Sequence, residues 1–358
     1  MASIRLLHLS DFHQGLKGQK VIWPEVKDAF RQDLGRLLQK IGPLDLVVFT
    51  GDMTQSGTQE EFEQFERMLQ ELWSWFKEHG CNPGFLVVPG NHDLVRPKST
   101  SAVVKALTLW NHDSEIRETF WNEPKGEYRQ AVEKAFKPFS AWARHRAQNS
   151  PLILRPGLLP GDFSVSFEKN GLRLGVVGLN SAFLQLSGRD FEGDLDIDLR
   201  QFNAVCGGDP PEWLRQHDVS LLLTHHPASW LSQESQQRFR ANIDRPGFFL
   251  AHLHGHMHEP VASFSREGGA LPRRRLCGVS LFGLEYWERA QSRAGRRVHG
   301  YCAIELKVDS GRGALTLWPR SMEFNEQAQY RRIIPDSRRY DLDANEATTE
   351  DFQVAERH

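Results

Sequence analysis

Short apolar runs along the chain end, one after another, in loops crowded with acidic, amide and imidazole side chains. Ile4 to Leu9 leads into Ser10-Asp11-Phe12-His13, and Leu44 to Thr50 leads into Gly51-Asp52. Phe85 to Val88 leads into Pro89-Gly90-Asn91-His92-Asp93, and Val219 to Thr224 into His225-His226-Pro227. Gly247 to Leu253 leads into a histidine cluster that ends at His258. Runs of about four to eight β-branched and aliphatic residues predict strands buried on both faces.

Between the early strands the apolar period changes. From Thr58 to His79, Phe62, Phe65, Met68, Leu69, Leu72 and Phe76 recur at three- and four-residue spacing, which predicts one apolar helix face. Thr58 with Glu61 fits a capping box, and Gly80 fits the position just past the end. A weaker helical pattern covers 24–41 through Val26, Phe30, Leu34, Leu37 and Leu38. Strand, loop, helix, strand is βαβ grammar, and ligands bind such sheets beyond the carboxyl ends of the strands. Every loaded loop falls at such an end.

Residues 95–150 break this rhythm with Trp110, Trp121, Trp142 and a helical series at Tyr128, Val132, Phe136 and Phe139. They predict a helical insertion near the mouth of the site, a candidate lid or substrate-selecting element. A second set of strands is expected at 163–167, 172–179, 276–281, 301–308 and 314–318. The domain reading is a catalytic unit over 1–320 and a C-terminal extension over 321–358, partly disordered from Asp341, where the chain turns polar and acidic.

Composition narrows the class. The 358 residues suit two domains or one large α/β domain with an insertion. With 39% hydrophobic and 25% charged residues the chain closes a core, and a net charge of −2 gives no global basic field for nucleic acid. No run approaches the roughly 18 apolar residues of a membrane span, and Ile4 to Leu9 lacks the flanks of a secretory signal, so a cytoplasmic protein without a membrane partner is expected. Cys81, Cys206, Cys277 and Cys302 form no C-x-x-C pair, which argues against a zinc ribbon or disulfide framework.

The loops supply Asp11, His13, Asp52, Asn91, His225, His256 and His258. Carboxylates, imidazoles and an amide oxygen form a mixed O/N set suited to Mn, Fe, Zn or Co. On extended backbone alternate residues point the same way, so Asp11-x-His13 and His256-x-His258 can each present two ligands to one site. Seven ligands exceed the need of one ion, whereas two divalent or trivalent transition-metal ions sharing a carboxylate would use them all.

This ordered series, Asp11-x-His13, Gly51-Asp52, Gly90-Asn91-His92-Asp93, His225 in Thr-His-His-Pro and Gly255-His256-Met257-His258, resembles the calcineurin-like metallophosphoesterase superfamily. The wording Gly51-Asp52-Met53-Thr54 followed by Gly57 is most similar to its cyclic-nucleotide and glycerophosphodiester phosphodiesterase branch, although 95–160 does not match that branch. The resemblance implies an α/β fold, a four-layer α/β/β/α sandwich with a helical insertion. It implies that Asp11, His13, Asp52 and His258 hold one metal, and that Asp52, Asn91, His225 and His256 hold the other. His92 would face the scissile phosphate and protonate the leaving oxygen, with Asp93 orienting it by a hydrogen bond. His226 and His254 are candidates for supporting the ligands from behind, although burial in the sheet competes for His254.

The function expected is hydrolysis of a phosphodiester, nucleotide-like or otherwise small, by a metal-bridging hydroxide with His92 assisting the leaving group. The alternative is a DNA or RNA nuclease of the same superfamily, suggested by Arg273-Arg274-Arg275, Arg296-Arg297, Arg331-Arg332 and Arg338-Arg339. A phosphoprotein phosphatase and a non-catalytic binding module rank below both.

Overall fold

A computed structural model of the chain describes residues 2–258, 262–266, 268–282, 299–309, 311–325, 327 and 330–354. In chain order its strands are β1 (Ala2–Leu9), β2 (Leu46–Phe49), β3 (Gly84–Val87), β4 (Arg155–Pro156), β5 (Phe163–Lys169), β6 (Leu172–Gly178) and β7 (Val219–Leu223). They continue with β8 (Ala251–His254), β9 (Ala262–Ser265), β10 (Arg273–Cys277), β11 (Gly300–Asp309), β12 (Arg312–Asn325), β13 (Tyr330–Pro335) and β14 (Thr348–Gln353). One sheet has the order β13-β12-β11-β1-β2-β3, with β14 also on β12; the other runs β4-β5-β6-β7-β8-β10-β9. β1, β2 and β3 are mutually parallel, as are β6, β7 and β8.

Alternation along each strand assigns residues to two cores. Leu6, Val48, Leu86, Val176, Leu221 and Leu253 pack between the sheets. Their neighbours Leu7, Val47, Phe49, Val177 and Leu222 point outward into a second core under the helices. A strand apolar on both faces is what a helix/sheet/sheet/helix stack demands, so the expected four layers are present.

On the outer face of the first sheet lie α1 (Gln19–Ile41) and α2 (Gln59–Glu78). The α2 N-terminus carries the predicted capping box: Thr58 Oγ1 accepts from Glu61 N, and the Glu61 side chain accepts from Thr58 N. Gly80, at φ +70°, takes the left-handed position beyond its end.

The insertion forms α3 (Ala102–Leu107), α4 (Ser114–Asn122), α5 (Glu127–Ala135) and α6 (Lys137–Gln148). Trp110, Phe120, Phe136, Phe139 and Trp142 join the outer core. Trp142 Nε1 and Arg146 both donate to Glu66 of α2, while Trp110 Nε1 donates to the buried Asp196. The four helices are thus tied to both halves of the sandwich.

Two expectations about the C-terminus need correction. The boundary placed at 320 falls inside β12, and the tail expected to be partly disordered from 341 contains β14, paired antiparallel to β12 with Gly313 opposite Phe352. An edge strand needs backbone hydrogen bonds and one anchored face, which a polar segment supplies with few apolar residues. Phe352 is that anchor: its ring lies where a Cβ on Gly313 would fall, 2.2 Å away, so only glycine fits beneath it. Glu350 adds a 2.7 Å ion pair with the buried Arg274.

Candidate metal centre

Each candidate ligand lies just past the carboxyl end of a parallel strand. Asp11 and His13 follow β1, Asp52 follows β2, Asn91 follows β3, His225 follows β7, and His256 and His258 follow β8. The first two loops are tied by main-chain bonds from Asp11 N to the Gly51 carbonyl and from Phe12 N and His13 N to the Asp52 carbonyl.

The extended-alternation argument for the ligand pairs does not hold. Asp11, His13, Asp52, His256 and His258 all have positive φ, between 51° and 69°. The strands end before them, and left-handed turns aim the side chains. Non-glycine residues pay for that conformation with strain, which clusters at functional sites. Gly90 clears the space inside: a Cβ there would fall 2.2 Å from Asp52 Oδ1.

The side chains converge. His225 Nε2 lies 3.4 Å from Asp52 Oδ2 and 3.0 Å from Asn91 Oδ1, with His256 Nδ1 at 3.2 Å. His13 Nε2 is 3.9 Å from both Asp11 Oδ1 and Asp52 Oδ2, and His258 Nε2 is 3.6 Å from Asp11 Oδ1. Asp52 therefore borders both groups. Ligands held about 2.0–2.2 Å from one ion stand roughly 3–3.5 Å apart, close to these separations. Among the described residues, buried Asp11 Oδ1 and both ring nitrogens of His13 find no hydrogen-bond partner, a costly arrangement unless a cation faces them. The donor set and these orphaned atoms fit a pair of metal ions.

Protonation states suit ligation. Burial pushes His13 down to about 4 and His256 to about 3, so both present neutral imidazoles at pH 7. Burial opposes ionisation of Asp52 and Asp11, but the surrounding histidines, His225 chief at Asp52 and His258 at Asp11, hold both carboxyls below the usual range. His225 goes the other way: burial would lower it, yet the Asp52 carboxylate lifts it to about 9. Its Nδ1 contacts the Thr50 carbonyl at 2.7 Å, which as a donor bond turns Nε2 toward Asp52.

Asp93 does not orient His92 as expected. Its carboxylate accepts from Gly90 N at 2.8 Å and from Thr54 N and Oγ1 at 2.9 and 3.0 Å, tying the loop after β3 to the loop after β2. His92 Nδ1 instead donates to the Gln55 carbonyl at 2.8 Å, while His92 N donates to Asp52 Oδ1. The half-buried ring keeps Nε2 for a ligand.

His226 is fully buried with Nδ1 2.9 Å from Ser181 Oγ, and a ring nitrogen of it joins those of His225 and His256 in one cluster. His254 is buried at the end of β8, Nδ1 3.2 Å from the Gly255 carbonyl, and joins no such cluster among the described residues. Sequence reasoning missed Thr50 and Gln55, which act through backbone carbonyls that carry no side-chain signal. It also missed Arg96, whose exposed guanidinium donates to the Asn91 carbonyl at 3.3 Å, and Trp230, which packs on His256.

A four-layer α/β/β/α sandwich with a paired Asp/His/Asn cluster at its strand ends is the architecture of the metallophosphoesterases. The family model for calcineurin-like phosphoesterases matches residues 4–260, and the chain belongs to that family. A probable glycerophosphodiester phosphodiesterase, GpdQ, of Arcobacter nitrofigilis is 43% identical over 49 residues, 14% of this chain and 15% of that protein. Among solved structures, purple acid phosphatase PPD1 from yellow lupin seeds aligns with a TM-score of 0.47 and 10% identity, over 89% of this chain and 52% of its own. Calcineurin-like phosphoesterase YfkN from Bacillus subtilis aligns with a TM-score of 0.32 and 10% identity, over 99% and 93% of the two chains. This chain thus spans a small part of the curated relative and about half of the lupin enzyme.

Proposed function

We propose that this chain is a dinuclear metal-dependent phosphodiesterase acting on a small or nucleotide-like diester. The observation that carries the reading is the convergence of seven O/N donors from five loops, with Asp52 bordering both groups and buried donor atoms left without partners. Asp11, His13, Asp52 and His258 would hold one ion, and Asp52, Asn91, His225 and His256 the other; either Mn, Fe, Zn or Co suits them. When bound, such a pair supplies positive charge for the phosphoryl oxygens and a nucleophile at neutral pH.

The chain's own residues do the rest. Nδ1 of His92 is spent on the Gln55 carbonyl, so Nε2 is the atom that meets substrate and delivers a proton to the leaving oxygen. Asp93 holds Gly90 and Thr54 together, fixing the loop from which His92 projects. His226 and Ser181 back the second ligand group from beneath.

The nuclease alternative loses its main support, since the basic runs close on internal carboxylates. Arg274 pairs with Glu350, Arg275 with Asp244, Arg332 and Arg338 with Glu323, and Arg339 with Asp336. Arg296-Arg297 lie outside the described residues. Four free cysteines fit a reducing, cytoplasmic setting, and no helix among the described residues is long and apolar enough to cross a membrane.

Bis(p-nitrophenyl) phosphate with manganese tests the reading. Nitrophenol release that stops on chelation and returns with metal is expected; a protein that takes up manganese and releases none overturns it.

A further inference from the structure

Trp230 ends the short turn Ala228–Trp230 that follows His225-His226-Pro227. Its indole stands nearly perpendicular to the His256 imidazole, ring centres 4.0 Å apart, and lies 5.6 Å from His226. The main chain is fixed on both sides: Trp230 N donates to the Pro227 carbonyl, and its carbonyl accepts from Gly193 N and Leu195 N, each at 3.0–3.1 Å. Yet the side chain is only half-buried, whereas His225, His226 and Ala228 are buried. Trp230 packs part of its surface against the outer core and leaves part open to solvent. A rigidly mounted, partly open indole beside a candidate metal ligand offers a surface for another flat ring.

We infer that Trp230 is a specificity-determining residue, a stacking wall for a nucleobase carried on one ester arm of the substrate. This inference rests on the phosphodiester reading of the adjoining site. From His225 to Trp230 the path crosses one imidazole, with successive ring centres 5.1 and 4.0 Å apart. A pentose is the group that bridges such a gap between a phosphate and a base. Stacking of a base on an aromatic side chain changes affinity by roughly ten-fold or more.

The test is calorimetric binding to the full chain loaded with manganese, using thymidine 5′-phosphate, phenyl phosphate and methyl phosphate. Thymidine 5′-phosphate should bind about ten-fold more tightly than methyl phosphate. Trp230→Leu should bring the two within about three-fold, and Trp230→Phe, which keeps a ring and the packing, should retain most of the preference. Phenyl phosphate matching methyl phosphate supports a nucleoside; phenyl phosphate matching the thymidine ester supports the wall and widens the class to aryl esters. Equal affinities in the parent protein overturn the inference. So does a Trp230→Leu protein that weakens all three ligands together with its manganese, which would make the residue a prop for His256. Selective binding without any diester cleavage would overturn the phosphodiesterase reading and leave the stacking wall standing.

Discussion

His92 and Gln55 are joined through one hydrogen bond, from the imidazole Nδ1 to the main-chain carbonyl, at 2.8 Å. A carbonyl fixes the tautomer and direction of the ring without adding a charge to it. With Nδ1 committed to Gln55, a proton given to a leaving group would come from Nε2, which has no hydrogen-bond partner among the described residues. His92→Asn should keep both metals and slow cleavage by about 10²–10⁴-fold for diesters with poor leaving groups, and far less for nitrophenyl esters. Rates for an alkyl diester that match the parent would remove His92 from this role.

Asp93 acts on the loop and not on the imidazole. In Asp93→Asn the amide NH2 must face Gly90 N–H or Thr54 N–H, donor against donor, in a fully buried place. A loss of about 1–3 kcal/mol in urea unfolding is expected, with the dependence of rate on leaving group unchanged. A dependence altered as in His92→Asn would show that the two side chains work as a couple after all.

The convergence of these side chains was legible in the chain because the candidate ligands stand at strand ends, where apolar runs stop abruptly. The α2 boundaries were legible for a similar reason, since Thr58, Glu61 and Gly80 carry the caps in their side chains or their lack of one. What stayed hidden was backbone geometry. Asp11 and His256 look like ordinary extended positions until their φ values of 52° and 69° are seen. The Asp93 partners were hidden because two of its three donors are main-chain N–H groups. β14 was hidden because its stability depends on one ring, Phe352, meeting one missing side chain, Gly313, some forty residues earlier.

His225, lifted to about 9 by Asp52, carries a proton at neutral pH that competes with a cation for the same lone pair. Metal uptake at the second site should release this proton, and the apparent affinity should rise by about ten-fold per pH unit up to about pH 9. Titration calorimetry in buffers of different ionisation enthalpy reads the proton directly. No buffer dependence would mean that His225 is already neutral in the metal-free protein.

Four buried histidines outside the candidate ligand set make the fold sensitive to acid. Burial pushes His8 down to about 3 and His254 to about 4, and holds His226 and His252 well below their ordinary value. Unfolded, each takes up a proton near pH 6.5, so the unfolded state binds more protons as pH falls. Their contribution to stability is fully present above about 6.5 and is lost as pH falls toward 4, at roughly 1.4 kcal/mol per unit for each histidine. His252→Gln can still donate to Thr224 Oγ1, the partner of His252 Nε2 at 2.7 Å, and should flatten the slope by one such share. Urea unfolding of the metal-free protein at several pH values checks it, and an unchanged slope would contradict the neutral state assigned to His252.

Asp52 borders both candidate ligand groups. Oδ1 accepts from His92 N at 2.8 Å, while Oδ2 faces His225 at 3.4 Å and His13 at 3.9 Å. In Asp52→Asn the amide oxygen can satisfy only one of these sides. If it keeps the bond from His92 N, an NH2 group faces the site where lone pairs are needed; if it turns round, that group meets the His92 N–H. The negative charge shared between the two sites is lost in either case. Metal affinity should fall at both sites by more than the roughly 10–100-fold that loss of a supporting bond costs, and turnover should fall with it. Metal content measured on purified protein, beside circular dichroism to confirm folding, separates the outcomes. One ion retained at full occupancy would mean that Asp52 serves a single site, and the paired centre would then need another carboxylate between its halves.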